Sequence, residues 1–285
     1  RRLDKLDQRL KILTESDDNP EDLNGITSEL ALLALAIPDR DDGSARKSTL
    51  QRLLQLAEES PDDASIQKVA ALSLARTGEI ATGRKLLQRL RDLEGDNSLP
   101  FTLTNAKFEA ATGNLEEAID GLLAYTAKNT DNVIAATMLA AEYMASQNTL
   151  DRAYQVLMDV PSAQHTSKSS FALFSYALAG LPSPITNDTD FSRLIAAEQL
   201  LFDIEESTET WWKLAKAIRL LTESSNQDLP AEKSADLITE ASELSAEISS
   251  NRPRWGLGLS LAGKISAARG ETNSAIQSLQ AGISN

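Results

Sequence analysis

The stretch that decides the fold is Ala110-Ala-Thr-Gly113-Asn-Leu115-Glu-Glu-Ala118-Ile. An alanine-rich helical run ends at Gly113, and a second amphipathic run begins only two residues later at Leu115. Glycine takes the left-handed backbone conformation that ends a helix more readily than any other residue. Because so short a connection brings consecutive helices side by side, the stretch predicts an antiparallel helix pair.

The same turn recurs along the chain every 35 residues, at Gly43, Gly78, Gly113 and Asn148. Small residues and leucines keep this spacing on both sides of the turn. These columns are Ala71/Ala106/Ala141, Ala75/Ala110/Ala145, Gly83/Ala118/Ala153 and Leu87/Leu122/Leu157. A further copy near the C-terminus has the same order in Gly263, Ala267, Gly270, Ala275 and Leu279. A fixed period of this length predicts a stacked repeat protein.

The residue types in these columns indicate how the helices pack. Small residues in the middle of two antiparallel helices allow the helix axes to approach closely. The leucine one turn further along is then available to the neighbouring pair. Because each pair leaves an apolar face that only the next pair covers, we expect stability to come from stacking.

The pattern resembles the tetratricopeptide repeat family, whose unit has about 34 residues and a small residue in each helix at the crossing. Prolines often open a unit of that family, and here Pro61 and Pro253 each precede a predicted first helix. The resemblance covers 64–160 and 253–285 best. It implies an all-α fold, an α-α superhelix: a right-handed solenoid of antiparallel helix pairs, with about six repeats plus an opening helix.

The remaining segments fit irregular copies of the same unit. Leu3, Leu6, Leu10 and Leu13 form an apolar stripe at helical spacing, which predicts the opening helix. Further helices are predicted at 21–37, 44–59, 168–180, 190–206, 209–224 and 231–249. No shift in composition separates domains, so we expect a single solenoid domain over 1–285. Because Arg1 already lies within an amphipathic helix, we also expect a segment of a longer chain.

Composition argues against several classes of function. The chain has 28 Lys+Arg against 42 Asp+Glu, a formal net charge of -14. Nucleic-acid binding and anionic membranes both call for basic surfaces, so we expect neither as a partner. No apolar run is long enough to cross a bilayer. The absence of cysteine excludes disulfides, thiolate zinc sites and cysteine nucleophiles, and it leaves the bacterial cytoplasm and periplasm both open.

Three motifs suggest chemistry, and each has a simpler explanation. Residues 258–265 nearly match a phosphate-binding loop, but Ile265 replaces the hydroxyl residue and no strand precedes them. His165 is the one histidine and lies in a polar linker, which predicts a solvated loop residue. The acidic clusters at 39–42 and 187–190 are typical of helix caps. We therefore expect no catalytic residues, no cofactor and no metal.

Trp211, Trp212 and Trp255 each lie at the start of a predicted first helix, so we interpret them as packing residues. The resemblance places binding elsewhere, because first helices of that family line a concave groove that often holds peptides. The candidate groove residues are Lys68, Leu72, Arg76, Leu103, Lys107, Met138 and Glu142. The three cations among them would suit an acidic segment of a partner.

Two functional hypotheses follow, with direct enzymatic activity as a third that lacks a supporting constellation. In the first, the chain is a scaffold that binds a protein or peptide. In the second, it is a structural or regulatory arm of a larger enzyme or a secretion or assembly machine. Self-association through exposed solenoid ends is a further expectation, because the last helix carries Ala275, Ile276, Leu279 and Ile283 with no following helix to cover them. Either these residues cover the preceding helix, or a further segment or a partner chain covers them.

Overall fold

A computed structural model of the chain describes residues 44–205 and 210–284. Within those ranges the backbone forms thirteen α-helices, one short 3-10 helix (Ser162–Gln164) and no strand. The predicted opening helix, the helix at 21–37 and the turn at Gly43 lie outside the described residues. The helices are α1 (Ser44–Glu59), α2 (Ala64–Thr77), α3 (Ile80–Glu94), α4 (Leu99–Ala111), α5 (Leu115–Lys128), α6 (Ile134–Ser146), α7 (Leu150–Met158), α8 (Ser167–Ala179), α9 (Ser192–Glu205), α10 (Thr210–Ser224), α11 (Ala231–Asn251), α12 (Gly256–Ala268) and α13 (Thr272–Ser284).

The helices fall into two compact units, one ending at Thr130 and one covering Asp131–Asn285. In the first unit α2 packs against α3 and α4 against α5. In the second, α6/α7, α8/α9, α10/α11 and α12/α13 form the pairs. The first helices of successive pairs also contact each other: α2 with α4, and α6, α8, α10 and α12 in turn. This pattern confirms the predicted all-helical α-α solenoid class, whereas the single domain over 1–285 stays a prediction.

The four predicted turn residues that the structure describes have left-handed backbone angles. Their φ values are 84° at Gly78, 90° at Gly113, 61° at Asn148 and 77° at Gly270. Each of these residues follows the last helical turn of a first helix, and the second helix begins two residues later. A positive φ costs a residue with a side chain more than it costs glycine or asparagine, so the periodic turn residue is explained by its conformation.

The columns of small residues lie where helices cross. Five alanines of these columns are at most 2% exposed: Ala71, Ala106, Ala141, Ala118 and Ala153. A Cβ atom at Gly83 would come within 2.7 Å of the Phe108 ring, and one at Gly263 within 2.7 Å of Leu279. The leucine column that follows, Leu87, Leu122 and Leu157, is buried as well. The sequence periodicity therefore corresponds to the closest helix contacts in the fold.

Two longer connections interrupt the tight turns in the second unit. The loop between α8 and α9 contacts the loop between α10 and α11, where Asn226 Nδ2 donates to Asn187 Oδ1 at 3.0 Å. The Gln227 backbone N–H also donates to the Ile185 carbonyl at 3.3 Å. Irregular repeats thus keep the pairwise packing and place their additional residues at one edge.

Helix α13 has one buried face and one exposed face. Ala275 is buried against Gly263, whereas Ile276 and Ile283 are 49% and 87% exposed. Of the four residues predicted to lack cover, two are exposed, while Ala275 is buried and Leu279 is half-buried against the preceding helix. Self-association through this helix stays a prediction. Among the residues that the structure describes, no helix is both long and apolar enough to span a bilayer.

Candidate binding surface on the first helices

Five of the seven predicted groove residues lie on α2 and α4, the adjacent first helices of the first unit. Lys68, Leu72 and Arg76 follow each other at four-residue intervals on α2, and Leu103 and Lys107 do so on α4. Residues four apart lie on one face of a helix. Lys68 and both leucines are half-buried, while Arg76 and Lys107 are exposed. We call these five residues the cationic strip.

The cations of the strip have no counter-ion in the described part of the chain. Helix α2 contains no acidic residue, and α4 contains only Glu109. Two other cations of the same unit do form ion pairs: Arg84 Nη1 lies 2.7 Å from Glu109 Oε1, and Arg91 Nε lies 3.0 Å from Asp96 Oδ1. Lys68, Arg76 and Lys107 form no such pair within residues 50–205 and 210–284.

Glu109 is held on a different side of α4, next to α3. Its carboxylate accepts two hydrogen bonds from Arg84, at 2.7 and 3.1 Å, and one from Asn114 Nδ2 at 2.8 Å. The Glu109 side chain is only 8% exposed, and the Arg84 guanidinium carbon lies 5.5 Å from the Phe108 ring centroid. A two-point Arg–carboxylate contact sets the geometry of both groups. The one carboxylate of α4 is therefore unavailable to the strip.

The last two predicted groove residues, Met138 and Glu142, lie on α6 in the second unit. Met138 is half-buried and Glu142 is exposed. The phenol of Tyr176 on the adjacent first helix α8 has a raised pKa, firstly because of burial and secondly because of the negative charge of Glu142. Position 142 on α6 therefore carries a negative charge where Lys107 of α4 carries a positive one. The groove as a set of seven residues stays a prediction.

Trp211 on α10 contacts one aromatic ring on α8 and one directly before α12, which the sequence pattern did not reveal. The Trp211 ring centroid on α10 lies 4.9 Å from Phe171 on α8 and 5.1 Å from Trp255 at the start of α12. The interpretation of Trp211 and Trp255 as packing residues agrees with these contacts. The sequence indicated these contacts only through an aromatic residue near the start of each first helix. Phe171, Trp211 and Trp255 are 40 and 44 residues apart, which departs from the 35-residue period.

His165 is buried, so the prediction of a solvated loop residue is wrong. Its side chain is 8% exposed. Its Nε2 lies 3.2 Å from the Val160 carbonyl, and its Nδ1 lies 3.2 Å from Ser169 Oγ. Because a carbonyl only accepts hydrogen bonds, Nε2 carries the proton. Burial lowers the pKa of the imidazole, against the opposing effect of the hydrogen bond to Val160. The polar residues on either side of His165 in the sequence did not indicate that its imidazole is buried. The imidazole connects the segment after α7 to α8.

The structure supports the simpler explanation for residues 258–265 and for the acidic cluster at 187–190. Residues 258–265 lie within α12, where Gly263 is a helix-crossing residue, so they do not form a phosphate-binding loop. Asp190 accepts hydrogen bonds from the Ser192 backbone N–H and hydroxyl at the start of α9, as a cap does, and these bonds lower its pKa. The described ranges contain no group of three or more metal-ligating side chains. The acidic cluster at 39–42 lies outside the described residues.

Comparisons with known proteins find similarity at the level of architecture. No family model matches the chain, and no curated protein matches it. Among solved structures, the chain is similar to the human IFIT1 dimer with m7Gppp-AAAA, at a TM-score of 0.37 and 13% identity. The match covers 99% of this chain and 76% of that one.

The IFIT1 structure contradicts the predicted exclusion of nucleic-acid partners, because that protein was solved with m7Gppp-AAAA. The exclusion is therefore wrong. It relied on net charge, which describes the long-range field of a protein and not an individual surface. The m7Gppp-AAAA belongs to IFIT1, and for this chain it removes the exclusion without assigning a ligand.

Proposed function

We propose that the chain is a tetratricopeptide-like scaffold that binds an acidic segment of a protein partner along the cationic strip. The observation that carries this proposal is the lack of a counter-ion for Lys68, Arg76 and Lys107, although the two helices that bear them pack side by side. Carboxylates of a partner would supply charge-assisted hydrogen bonds to these groups. The proposal includes no chemical step by the chain itself.

Ion pairs alone would bind a partner only weakly at this surface. Exposed ion pairs contribute about 0.2–1 kcal/mol each, so three of them leave most of the affinity to other contacts. Leu72 and Leu103 are half-buried on the same helix faces and offer apolar contact beside the cations. We therefore expect the partner segment to combine acidic residues with an apolar side chain, and we expect binding to weaken as salt increases.

The test is a charge reversal in the strip with a matched reversal elsewhere. Lys68→Glu with Lys107→Glu removes two cations of the strip. Lys85→Glu with Arg89→Glu makes the same change in net charge on α3, a second helix, where both side chains are exposed. Partners retained from a native lysate are identified by mass spectrometry, and their affinity is then measured with purified components at two salt concentrations.

We expect a partner that the native chain and the α3 variant retain and that the strip variant loses. Equal retention by both variants would contradict the assignment to the strip and keep only the scaffold. Retention of no partner by the native chain would favour the alternative, a structural or regulatory arm of a larger assembly. Circular dichroism of both variants checks that the substitutions, one of them at the half-buried Lys68, leave the helices intact.

A further inference from the structure

The last described helix, α13, has one side against α12 and another side turned away from it. Ala275 and Leu279 lie against Gly263, where an added Cβ atom would come within 2.7 Å of Leu279. Gly282 also lies close to α12, because an added Cβ atom there would come within 2.5 Å of Ser260 Oγ. Residues at intervals of four and three share one side of a helix. That side of α13 is therefore occupied by α12.

The other side of α13 is exposed from its first turn to its last. Asn273, Ile276, Gln280 and Ile283 lie on this side at intervals of three, four and three residues, and all four are exposed. We call these four residues the α13 seam. Alternating intervals of three and four, with isoleucine at every second position, are the spacing found where two helices pack along each other. The seam therefore fits a second helix.

An internal second helix shows how the same position is covered within the array. Counted from the turn residues Asn148 and Gly270, Ile276 of α13 corresponds to Tyr154 of α7. Tyr154 is buried, because its hydroxyl donates to the Arg193 carbonyl at 3.3 Å and its ring centroid lies 5.2 Å from the Arg193 guanidinium carbon. Arg193 belongs to α9, the second helix of the following pair. A second helix thus covers this position in α7, whereas Ile276 is exposed to solvent.

The chemistry of the seam distinguishes a second copy of α13 from a different helix. At the position of Asn273, α7 has Asp151, which forms an ion pair with Arg193 of α9. Unlike charges can meet there because the two helices differ in sequence. In contrast, α13 contains no charged residue, and no other α-helix that the structure describes has this property. The position that pairs by opposite charge in α7 is therefore a neutral amide in α13.

We propose that the chain forms a homodimer in which α13 packs against α13 of a second copy about a two-fold axis. In such a contact the same surface patch is used by both copies, so a charged side chain within it would lie near an identical charge. Like charges at that distance are destabilising, and the seam has none. The amides of Asn273 and Gln280 each donate and accept hydrogen bonds, so they can pair with identical groups. The proposal does not depend on binding along the cationic strip.

Sedimentation equilibrium of the purified chain over about a hundredfold range of concentration tests the proposal. Each copy contributes one helix of 13 residues, so the interface is small and the dimer should form only toward the higher concentrations. Ile276→Glu places like charges in the contact, and we expect its mass to stay at that of one chain throughout. Ile195→Glu on α9 is the matched control, because Ile195 is 52% exposed and Ile276 is 49% exposed. The control should associate as the native chain does.

Gln280→Leu should act in the opposite direction, because a polar residue at such a position lowers the stability of a helix pair. We expect this variant to dimerise at lower concentration than the native chain. The proposal is overturned if the native chain stays a monomer over the whole range, or if Ile276→Glu associates as the native chain does. A mass that rises beyond that of two chains would contradict the two-fold contact. Circular dichroism checks that each variant keeps its helices.

Discussion

Glycine has three different roles in the described part of this chain, and its surroundings separate them. At Gly113 the φ of 90° demands a left-handed conformation, although an added Cβ would meet nothing within 4 Å. At Gly83 the backbone is helical, but an added Cβ would lie 2.7 Å from the Phe108 ring and 3.3 Å from the Ala71 carbonyl. At Gly121, inside α5, neither constraint applies.

Gly83→Ala and Gly121→Ala should therefore change stability in opposite directions. Within a helix, alanine is favoured over glycine by about 0.5–1 kcal/mol, and Gly121→Ala should gain this amount. At Gly83 the added methyl group must displace Phe108, and overpacking of this kind costs about 1–3 kcal/mol. Urea unfolding followed by circular dichroism measures both. A gain in stability for Gly83→Ala would contradict the close crossing of α3 with α2 and α4.

The buried imidazole of His165 should make stability depend on pH. Its pKa in the folded protein is below the ordinary value of about 6.5, so the unfolded chain binds a proton more readily. The neutral, buried imidazole contributes its full stabilisation of the folded state above a pH of about 6.5. This contribution is lost as the pH falls from there through the lower pKa of the folded protein. Thermal unfolding at a series of pH values in this window measures the loss.

His165→Gln is the control, because an amide can still donate to the Val160 carbonyl and does not titrate. His165 is the only histidine, so no other imidazole contributes in the window. We expect the variant to keep a flatter pH profile than the native chain above the range in which carboxylates titrate. An unchanged slope in the variant would show that His165 is not the group responsible.

At the scale of the helix, one charged cluster joins α9 to α10. Arg219 Nε lies 2.6 Å from Glu198 Oε2, and Arg219 Nη1 lies 2.5 Å from Glu223 Oε1. The three side chains are only 14%, 15% and 24% exposed. Burial by itself disfavours the charged guanidinium, but the hydrogen bonds to both carboxylates raise the pKa of Arg219 above its ordinary value. The Arg219 guanidinium therefore stays charged within the packed interface.

Removal of Arg219 alone should lower the free energy of unfolding more than removal of Arg219 together with Glu198. Arg219→Met leaves two poorly solvated carboxylates without a partner, and we expect a loss of roughly 3 kcal/mol, the lower end for broken buried pairs. Glu198→Met combined with Arg219→Met replaces an ion pair by apolar groups, so the double variant should be more stable than Arg219→Met alone. Denaturant unfolding compares the two, and a double variant of lower stability would contradict a desolvation cost at this interface.

The sequence pattern predicted both ends of five of the described helices, and it located these five to within two residues. Helix α8 was predicted at 168–180 and forms at Ser167–Ala179, and α9 was predicted at 190–206 and forms at Ser192–Glu205. Periodicity, turn residues and caps are local, and they act on the segment that contains them. The partners of a helix are not local, so neither the Arg219 cluster nor the ring contacts of Trp211 could be located in the same way.

At the scale of the whole chain, charge is distributed unevenly. Residues 44–130 contain 11 Lys+Arg and 12 Asp+Glu, so this region is close to neutral, and most of the net charge of -14 lies on either side of it. This distribution is why net charge was a poor guide to partners. The near-neutral region contains the cationic strip, although the chain as a whole is acidic.

The sequence by itself determined the fold class, the turn residues and the small residues at helix crossings. Each of these follows from a conformational or steric requirement that a repeating pattern displays directly: a positive φ at Gly78, or a close approach at Gly83 and Gly263. Only the tertiary structure decided that His165 is buried, that Glu109 is held by Arg84, and that Phe171, Trp211 and Trp255 meet. These contacts join residues whose sequence separations vary, because the loops between repeats differ in length, and packing alone brings such side chains together.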